Sequence, residues 1–324
     1  MAFWSVELER RGPGLLLHDI RKGTDPDLLV ARDAIRQLDA DVILLSGVDT
    51  DYDGYTVDAL AHFLDAGYDF TFTEMGNTGA PSGFDIDRDG RLGEAEDALA
   101  FGRFRGEGGM ALLSRHPIAH EAIVTLTDLK WRDVPDTRLP YTYFSPAEAE
   151  LLTVSSRGHW MVPVEIGGIP LTVLAFHATT PVFDGDEDRN GRRGADEVAL
   201  IRHILNGRIG EAPEGTFVVM GSTNIDPVDG EGIHGEVRAL LAHPLLQDPL
   251  PRSTFGPAPN GDQKGDPTLD TADWRDPDPG NLRVDYVLPS RDLDVLDTGL
   301  EWVDGPEDGP FHHAVVWVDL VPFP

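Results

Sequence analysis

The feature that most constrains the fold is residues 217–230, FVVMGSTNIDPVDG, in which a short apolar run ends abruptly in polar and turn-forming residues. A run of this kind is typical of a buried strand that delivers polar side chains to the edge of a sheet. Strand ends that face a cleft are where α/β proteins usually place their chemistry. The stretch therefore predicts a sheet with a candidate site beside Gly221–Asn224.

Similar runs along the chain predict a protein with more strands than helices. We expect strands at the N-terminus and at 41–46, 68–73, 109–114, 153–164, 169–177, 217–220, 283–288 and 314–320. Helical periodicity predicts helices at 27–38, 58–66, 196–205 and 232–242, and 249–281 is expected to be a long loop. Because the strands often come in adjacent pairs, we predict an α+β fold of two packed mixed β-sheets flanked by helices, with one domain over residues 1–324.

The composition excludes several kinds of site. The chain has no Cys, which rules out disulfides, thiol catalysis and zinc sites built on thiolates. No run approaches the ~18 apolar residues of a membrane span, and residues 1–11 lack the order of a signal peptide. Since the absence of Cys suits an exported bacterial protein, we expect a periplasmic or extracellular location, with a leader that is absent from this sequence.

The charge is strongly negative, with 57 acidic and 26 basic residues and a formal net charge of −31. Such a field repels nucleic acid and anionic lipid, so nucleic acid is not the expected substrate. One interpretation is a solvated acidic surface suited to salt water. The other is that many carboxylates are cation ligands, and both can hold together.

Three acidic loops have the spacing of calcium ligands, in which several hard oxygens converge on one ion and a Gly allows the sharp turn. Residues 85–96 match this twelve-residue pattern at every discriminating place, and the alternative is a solvated acidic loop. We expect this calcium to stabilise the fold rather than to act in catalysis. The candidate ligand positions of this first loop are Asp85, Asp87, Asp89, Arg91 and Glu96.

The other two acidic loops match less well. Arg192 and Arg193 lower the negative potential of the second loop, for which a structural turn rich in Arg–Asp pairs is the alternative. The third loop has no acid at its last place. The candidate ligands are Asp186, Asp188, Asn190 and Glu197 in the second loop and Asp49, Asp51 and Asp53 in the third.

Several residues that could do chemistry stand at predicted strand ends. A lone His at such a place is more often a structural residue held by hydrogen bonds, whereas several that converge on one sheet edge indicate a site. The candidates are His159, His177, His312, His313, Asn224, Asp226 and Asp285.

Five passages carry a family resemblance: 84–92 (FDIDRDGRL), 155–160 (SSRGHW), 181–193 (PVFDGDEDRNGRR), 266–273 (DPTLDTAD) and 280–290 (GNLRVDYVLPS). Their order resembles the endonuclease/exonuclease/phosphatase superfamily, which includes DNase-I-like nucleases and phosphoesterases, and is most similar to a bacterial, often exported branch. The resemblance covers nearly the whole chain and implies a DNase-I-like fold. It also implies a divalent metal and a His–Asp pair that activate water for in-line attack on a phosphate.

The resemblance assigns roles to individual positions. His177 matches the His that contacts the scissile phosphate, and Asn224 matches the Asn of a Gly-Asp-x-Asn motif. Asp285 matches the Asp that orients the His pair, and His313 matches the general base. The candidate substrate-binding residues are Arg157, His159 and Asn281.

Four positions depart from the family pattern. Ser222 replaces the Asp that holds the attacking water, and Gly47 replaces the metal-binding Glu. Ser5 replaces the Asn of the first strand, and His312 replaces the metal-side Asp of the terminal motif. Because such a unit acts together, losing one member costs on the order of 10³–10⁶ in rate.

These departures leave two interpretations open. The first is a phosphoric ester hydrolase with an impaired or altered centre. In that case Asp49 or Asp226 replaces a lost ligand for Mg²⁺, or the pair His312 and His313 favours Zn²⁺ or Mn²⁺. The second is a catalytically silent, calcium-stabilised homologue that acts as a binding protein.

Overall fold

The computed structural model describes residues 1–253, 255–275, 279–304 and 311–321. Positions 254 and 276–278 of the predicted loop 249–281 therefore lie outside the described residues. The strands are β1 Ala2–Ser5, β2 Val42–Val48, β3 Phe70–Phe72, β4 Gly109–Ser114, β5 Val124–Thr125, β6 His159–Ile166, β7 Ile169–His177, β8 Phe217–Ser222, β9 Ala272–Asp273, β10 Asn281–Leu282, β11 Asp285–Pro289, β12 Val295–Glu301 and β13 Val315–Leu320. The α-helices are α1 Leu15–Lys22, α2 Pro26–Leu38, α3 Tyr55–Leu64, α4 Pro146–Leu151, α5 Arg189–Leu205 and α6 His234–Leu241.

The first sheet has the order β12-β13-β1-β2-β4-β3. β1 runs parallel to β2 and places Ser5 beside Ser46, whereas the other pairs are antiparallel. The pairing of β2 with β4 shifts register between Ser46 and Val48, so Gly47 lies in a bulge. This irregularity falls at the end of β2 that faces the candidate site.

The second sheet has the order β11-β8-β7-β6-β5, in which β7 and β8 are parallel. Its register places Ser222 between His177 on one side and Asp285 on the other. β9 and β10 form a separate ribbon, and Ala272 of this ribbon bridges to His313. The strand ends that carry His177, Ser222 and Asp285 therefore lie side by side at one edge of this sheet.

The two sheets pack face to face through an apolar layer. Phe3, Leu44 and Leu112 of the first sheet share one cluster with Val173 and Val218 of the second. α1, α2 and α3 cover the outer face of the first sheet, and α5 and α6 cover that of the second. This arrangement confirms the predicted α+β fold of two mixed sheets flanked by helices. The shared layer supports the single domain expected over 1–324, which stays a prediction.

Several elements differ from the sequence-based expectation. α1 lies where a loop was expected, because its apolar pattern of Leu16 and Ile20 spans only two turns. α5 begins at Arg189 rather than at 196, since packing overrides the weak helix propensity of its Gly-containing start. β12 was not expected because it is a mostly exposed edge strand with little apolar pattern.

The strand expected from residue 153 begins only at His159. Within the described ranges, no helix is long and apolar enough to cross a membrane.

Candidate active site

A cleft of about 820 Å³ lies where the edges of the two sheets meet. A second cavity, of about 550 Å³, adjoins it and shares Arg157, His177 and Asn224 with it. The resemblance-derived residues in the first cleft are Ser5, Arg157, His177, Asn224, Asn281 and His313. The sheets thus bring together residues from six separate parts of the chain.

The best-defined feature of the cleft is a buried Asp–His pair. His313 Nδ1 lies 2.6 Å from Asp285 Oδ2, and the two residues are 3% and 0% exposed. The main-chain N–H of Asp285 donates to Thr271 Oγ1 at 2.9 Å, which fixes the main chain of Asp285. Burial opposes a charge on His313, but Asp285 outweighs it and raises the pKa of His313 above its usual value. The pair therefore holds the ring with Nε2 available to the cleft.

His177 is held neutral in a chain of hydrogen bonds. Asn224 Nδ2 donates to Ala178 O at 2.7 Å and lies 3.0 Å from His177 Nε2, so this ring nitrogen is the acceptor. His177 Nδ1 then donates to Ser46 Oγ at 2.9 Å. Burial, followed by the nearby charge of Arg157, keeps the pKa of His177 well below its usual value. Both ring nitrogens are thus committed within the protein.

The four substituted positions provide no anion to the cleft. Ser222 is fully buried, and its hydroxyl donates to Val284 O at 3.3 Å. Gly47 has a φ of +78°, and a Cβ there would lie 2.7 Å from the main-chain N of Glu7. Ser5 lines the cleft, and His312 Nδ1 lies 2.9 Å from Glu7 Oε2.

Two carboxylates of the cleft, Glu7 and Glu9, were missed by the sequence analysis. The chain continues beside β2 after Ser5, with the N–H groups of Val6 and Leu8 donating to Ser46 O and Gly47 O at 2.8 and 2.7 Å. Alternate residues then face the cleft. The period-two pattern of Ser5, Glu7 and Glu9 around buried Val6 and Leu8 was a signal that could have identified them.

Glu9 takes up the space that a side chain at position 47 would use. Glu9 Oε2 lies 2.9 Å from the position that a Cβ of Gly47 would have, and this oxygen is buried without a hydrogen-bond partner. Burial raises the pKa of Glu9, and the charge of Arg157 opposes this rise. At Glu7, burial also acts to raise the pKa, but the hydrogen bond from His312 and the charge of His313 lower it overall.

Arg157 lies at the boundary of the two cavities. Its Nη1 donates to Ser46 Oγ at 2.8 Å, so the same hydroxyl connects the guanidinium to His177. Burial lowers the pKa of Arg157, whereas Glu9 and Glu7 act to raise it. A cationic side chain is thus held beside the place of the missing metal-binding Glu.

Three other candidates are held inside the protein instead of in the cleft. His159 is fully buried between Ser155 Oγ at 2.7 Å and Glu197 O at 2.9 Å, and burial lowers its pKa to about 4. Asp226 accepts from the N–H groups of Val228, Asp229 and Arg283. Asp49 accepts from the N–H groups of Arg10 and Gly108. These side chains order loops, and neither Asp49 nor Asp226 lines the cleft.

The first acidic loop is partly assembled as expected. Carboxylate oxygens of Asp85, Asp87 and Asp89 lie within 4.8 Å of one another. Among the described residues, these three form the group whose spacing suits a metal ion. The N–H of Gly90 donates to Asp85 Oδ2 at 3.1 Å, as a tight turn around an ion requires. Asp85 Oδ1 is buried without a partner.

Two predicted ligands of this loop need separate comment. Glu96 is exposed and does not join the group, because a short 3-10 turn at Ala95–Asp97 turns the next side chain inward. Asp97 accepts from the N–H groups of Ile86 and Gly93 at 2.7 and 2.8 Å instead. The main-chain N–H of Arg91 donates to Asp89 Oδ1 at 2.8 Å. Arg91 stays a predicted ligand position of this loop.

The structure does not bring the second ligand set together. α5 begins within it at Arg189, and helical geometry carries Glu197 into the core. There Glu197 accepts from the main-chain N–H groups of Ser156 and Thr179. Asn190 donates to Val182 O. Asp188 is the N-cap residue of α5, and Asp186 precedes it in the chain.

The third ligand set is also divided. Asp51 caps the start of α3 by accepting from the N–H groups of Tyr55 and Thr56 at 2.9 and 2.8 Å. Asp49 bonds to other segments, and Asp53 is exposed. In this arrangement Asp51 caps a helix and Asp49 and Glu197 bond to other segments, and cation binding by either ligand set stays a prediction.

The residues of the cleft do not fit the catalytic metal that the resemblance implies. Mg²⁺ and Mn²⁺ need hard anionic ligands, and none of the four substituted positions is a carboxylate. The unpartnered Oε2 of Glu9 is a carboxylate oxygen, of the kind that binds cations. The main positive charge acting on it, however, is the guanidinium of Arg157. Among the described residues, no three His or acidic side chains of the cleft place their ligand atoms close enough together to hold one ion. His312 is bonded to Glu7, so the expected Zn²⁺ pair with His313 is not formed either.

Comparisons with known proteins agree with this fold. A model described as the Endonuclease/Exonuclease/phosphatase family matches residues 20–309. No curated protein sequence matches the chain. It is similar to the solved structure of an endonuclease/exonuclease/phosphatase from Beutenbergia cavernae, with 19% identity, 98% of this chain and 70% of that chain covered, and a TM-score of 0.59.

Two further solved structures are similar. One is an endonuclease/exonuclease/phosphatase family protein from Leptotrichia buccalis, with 16% identity, coverage of 99% and 98%, and a TM-score of 0.53. The other is a beta toxin variant from Staphylococcus aureus with bound magnesium ions, with 15% identity, coverage of 97% on both sides and a TM-score of 0.51. These likenesses show a shared fold. Because the family model spans nearly the whole chain, the protein belongs to the endonuclease/exonuclease/phosphatase family.

Proposed function

We propose that the protein is a phosphoric ester hydrolase with an altered catalytic centre in the cleft between the two sheets. The observation that carries the proposal is the buried Asp285–His313 pair, whose ring lines the cleft. A carboxylate that holds one nitrogen of an imidazole leaves the other in position to take a proton. Family membership supports the reaction class, since the family acts on phosphate esters.

In this mechanism, His313 Nε2 takes a proton from a water molecule while the water oxygen attacks phosphorus. The bond from phosphorus to the leaving oxygen breaks, and the leaving oxygen takes a proton from solvent. Asn224 commits its Nδ2 to His177 and Ala178, which leaves its Oδ1 as an acceptor for the water. Ser222 does not take the place of the absent carboxylate, so we expect slow turnover.

The test is hydrolysis of bis(p-nitrophenyl) phosphate and p-nitrophenyl phosphate, each with EDTA and with Mg²⁺, Mn²⁺, Ca²⁺ or Zn²⁺. We expect His313→Ala to lower kcat/KM by about 10²–10⁴, as the loss of a general base does. His62→Ala is the matched control, because His62 is exposed on α3. Full activity in His313→Ala would reject the assignment of the base.

The pH dependence gives a second test of the same pair. His313 must be neutral to act as a base, and its pKa is raised above the usual 6.5. Activity is therefore expected to rise as the pH passes above 6.5 and to level off at higher pH. Asp285→Asn removes the charge that raises the pKa, so the rising limb moves to lower pH and the plateau falls. A limb that does not move would contradict the coupling.

The second candidate function is that of a catalytically silent binding protein. The buried hydroxyl of Ser222, at the place of a catalytic Asp, is the observation that favours it. Binding of a phosphate ester without turnover under every metal condition would support this function and reject the first.

We also propose that the loop of Asp85, Asp87 and Asp89 binds a structural Ca²⁺, supported by the convergence of their oxygens. The proposed location is periplasmic or extracellular, which the absence of Cys supports.

A further inference from the structure

We infer that Arg157 supplies the positive charge which the family resemblance assigns to a metal ion, so that the cleft binds phosphate without a divalent cation. This inference rests on the proposed function of the cleft. It names the group that meets the phosphate and the ion that the site does not need.

The position of Arg157 is set by contacts on both sides of the side chain. Its Nη1 donates to Ser46 Oγ at 2.8 Å, next to Gly47, the place of the missing metal-binding Glu. The main-chain carbonyl of Arg157 lies 2.7 Å from the position that a Cβ of Gly76 would have, so the two main chains touch. A close main-chain contact at one end and a hydrogen bond at the other hold the guanidinium in the cleft.

Nearby carboxylates offset the positive charge of the Arg157 guanidinium, as carboxylate ligands offset the charge of a metal ion. A Cβ on Gly108 would lie 3.7 Å from Arg157 Nη2 and 3.8 Å from Glu9 Cδ, so both side chains lie near Gly108, and the charge of Glu9 acts on the guanidinium. Glu9 in turn fills the space next to Gly47. The lost Glu of β2 is thus replaced by a Glu from the extension of β1, and the cation beside it is part of the chain.

The hydrogen-bond donors of the cleft also point to Arg157. His177 uses Nδ1 on Ser46 and Nε2 as an acceptor, and Asn224 uses both protons of its amide on His177 and Ala178. These two residues therefore offer no N–H to an anion in this arrangement. A guanidinium has five N–H donors in a planar fork that fits phosphate oxygens.

The experiment measures binding of inorganic phosphate by titration calorimetry, with EDTA and with Mg²⁺ or Mn²⁺. We expect equal affinity under all three conditions in the wild-type protein. Arg157→Gln is expected to weaken binding by about tenfold to a hundredfold, the range for a charged hydrogen bond. Arg157→Lys is expected to recover part of the loss, because it restores the charge without the fork.

The matched control is Arg115→Gln, which removes an arginine that joins Asp39 and Ala66 outside the cleft. Thermal melting of each variant separates loss of binding from loss of folding. Phosphate binding that needs Mg²⁺ or Mn²⁺, or that persists unchanged in Arg157→Gln, would overturn the inference. Metal-independent binding without hydrolysis would uphold it while rejecting the proposed hydrolase.

Discussion

At the residue scale, Gly47 stands where the resemblance predicts a metal-binding Glu. Its left-handed φ of +78° lies in a β-bulge, and the main chain of Glu7 passes directly over it. Gly reaches this conformation without strain, whereas other residues pay about 1–3 kcal/mol. The backbone at this position therefore favours Gly over the metal-binding Glu that the resemblance predicts.

A substitution that restores the family residue tests this explanation. We expect Gly47→Glu to lower the free energy of unfolding by at least about 1–3 kcal/mol, because the new Cβ meets Glu7 N at 2.7 Å. No metal-dependent activity should appear. Urea unfolding measures the first effect, and hydrolysis assays with Mg²⁺ or Mn²⁺ measure the second. Ser222→Asp is the companion variant, because Ser222 already has a Cβ and its hydroxyl bonds to the main-chain O of Val284. A stable Gly47→Glu enzyme with metal-dependent activity would disprove the backbone argument.

At the element scale, two acidic segments of similar sequence adopt different local structures. The loop that starts at Asp85 gathers three carboxylates, whereas the similar sequence at 186–197 becomes the start of α5. The difference arises because Arg193 and Glu197 of α5 are buried, with Arg193 donating to Val154 O and Glu197 accepting from Ser156. Once these residues are drawn into the core, the acids before them cannot close around an ion.

The loop of Asp85, Asp87 and Asp89 is the proposed calcium site. Calcium is expected to raise the melting temperature, since a ligand at 100 times its Kd stabilises a fold by about 2.7 kcal/mol. Asp87→Asn should remove most of this effect, and Asp186→Asn should not change it. Scanning calorimetry with CaCl₂ and with EDTA measures both variants. An effect of Ca²⁺ that Asp87→Asn leaves intact would contradict a site in this loop.

At the scale of the whole molecule, the main electrostatic feature is the net charge of −31. Arg side chains pair with many carboxylates, as Arg138 does with Asp196 and Glu236, but the excess negative charge repels itself. This repulsion is long-ranged at low ionic strength and falls within a Debye length of about 8 Å at physiological salt.

Monovalent salt is therefore expected to raise the melting temperature steadily from low ionic strength. Sodium chloride and choline chloride should act alike if screening is the cause, because choline does not occupy a small cation site. Both titrations are done with EDTA present, so that bound calcium does not contribute. A melting temperature that falls with either salt would contradict a fold limited by self-repulsion.

Local sequence patterns were sufficient for much of the fold. The apolar runs at 41–46 and 109–114 and the helix at 27–38 are found within a few residues of their predicted bounds. Edge strand β12 was missed because an exposed strand has no apolar run to reveal it. For the site, His177, Asn224, Asp285 and His313 were predicted to meet, whereas Glu7 and Glu9 were not predicted at all.

The sequence by itself determined the family and the two-sheet architecture, because both depend on residue identity and local order, and it predicted the loss of four catalytic side chains. Tertiary structure alone decided what replaced them. Arg157 reaches Ser46 across 111 residues of chain, and Glu9 lies beside Gly47 only through the parallel pairing of β1 with β2. Such neighbours depend on strand register and on a bulge at Gly47, neither of which leaves a periodic signal in the sequence.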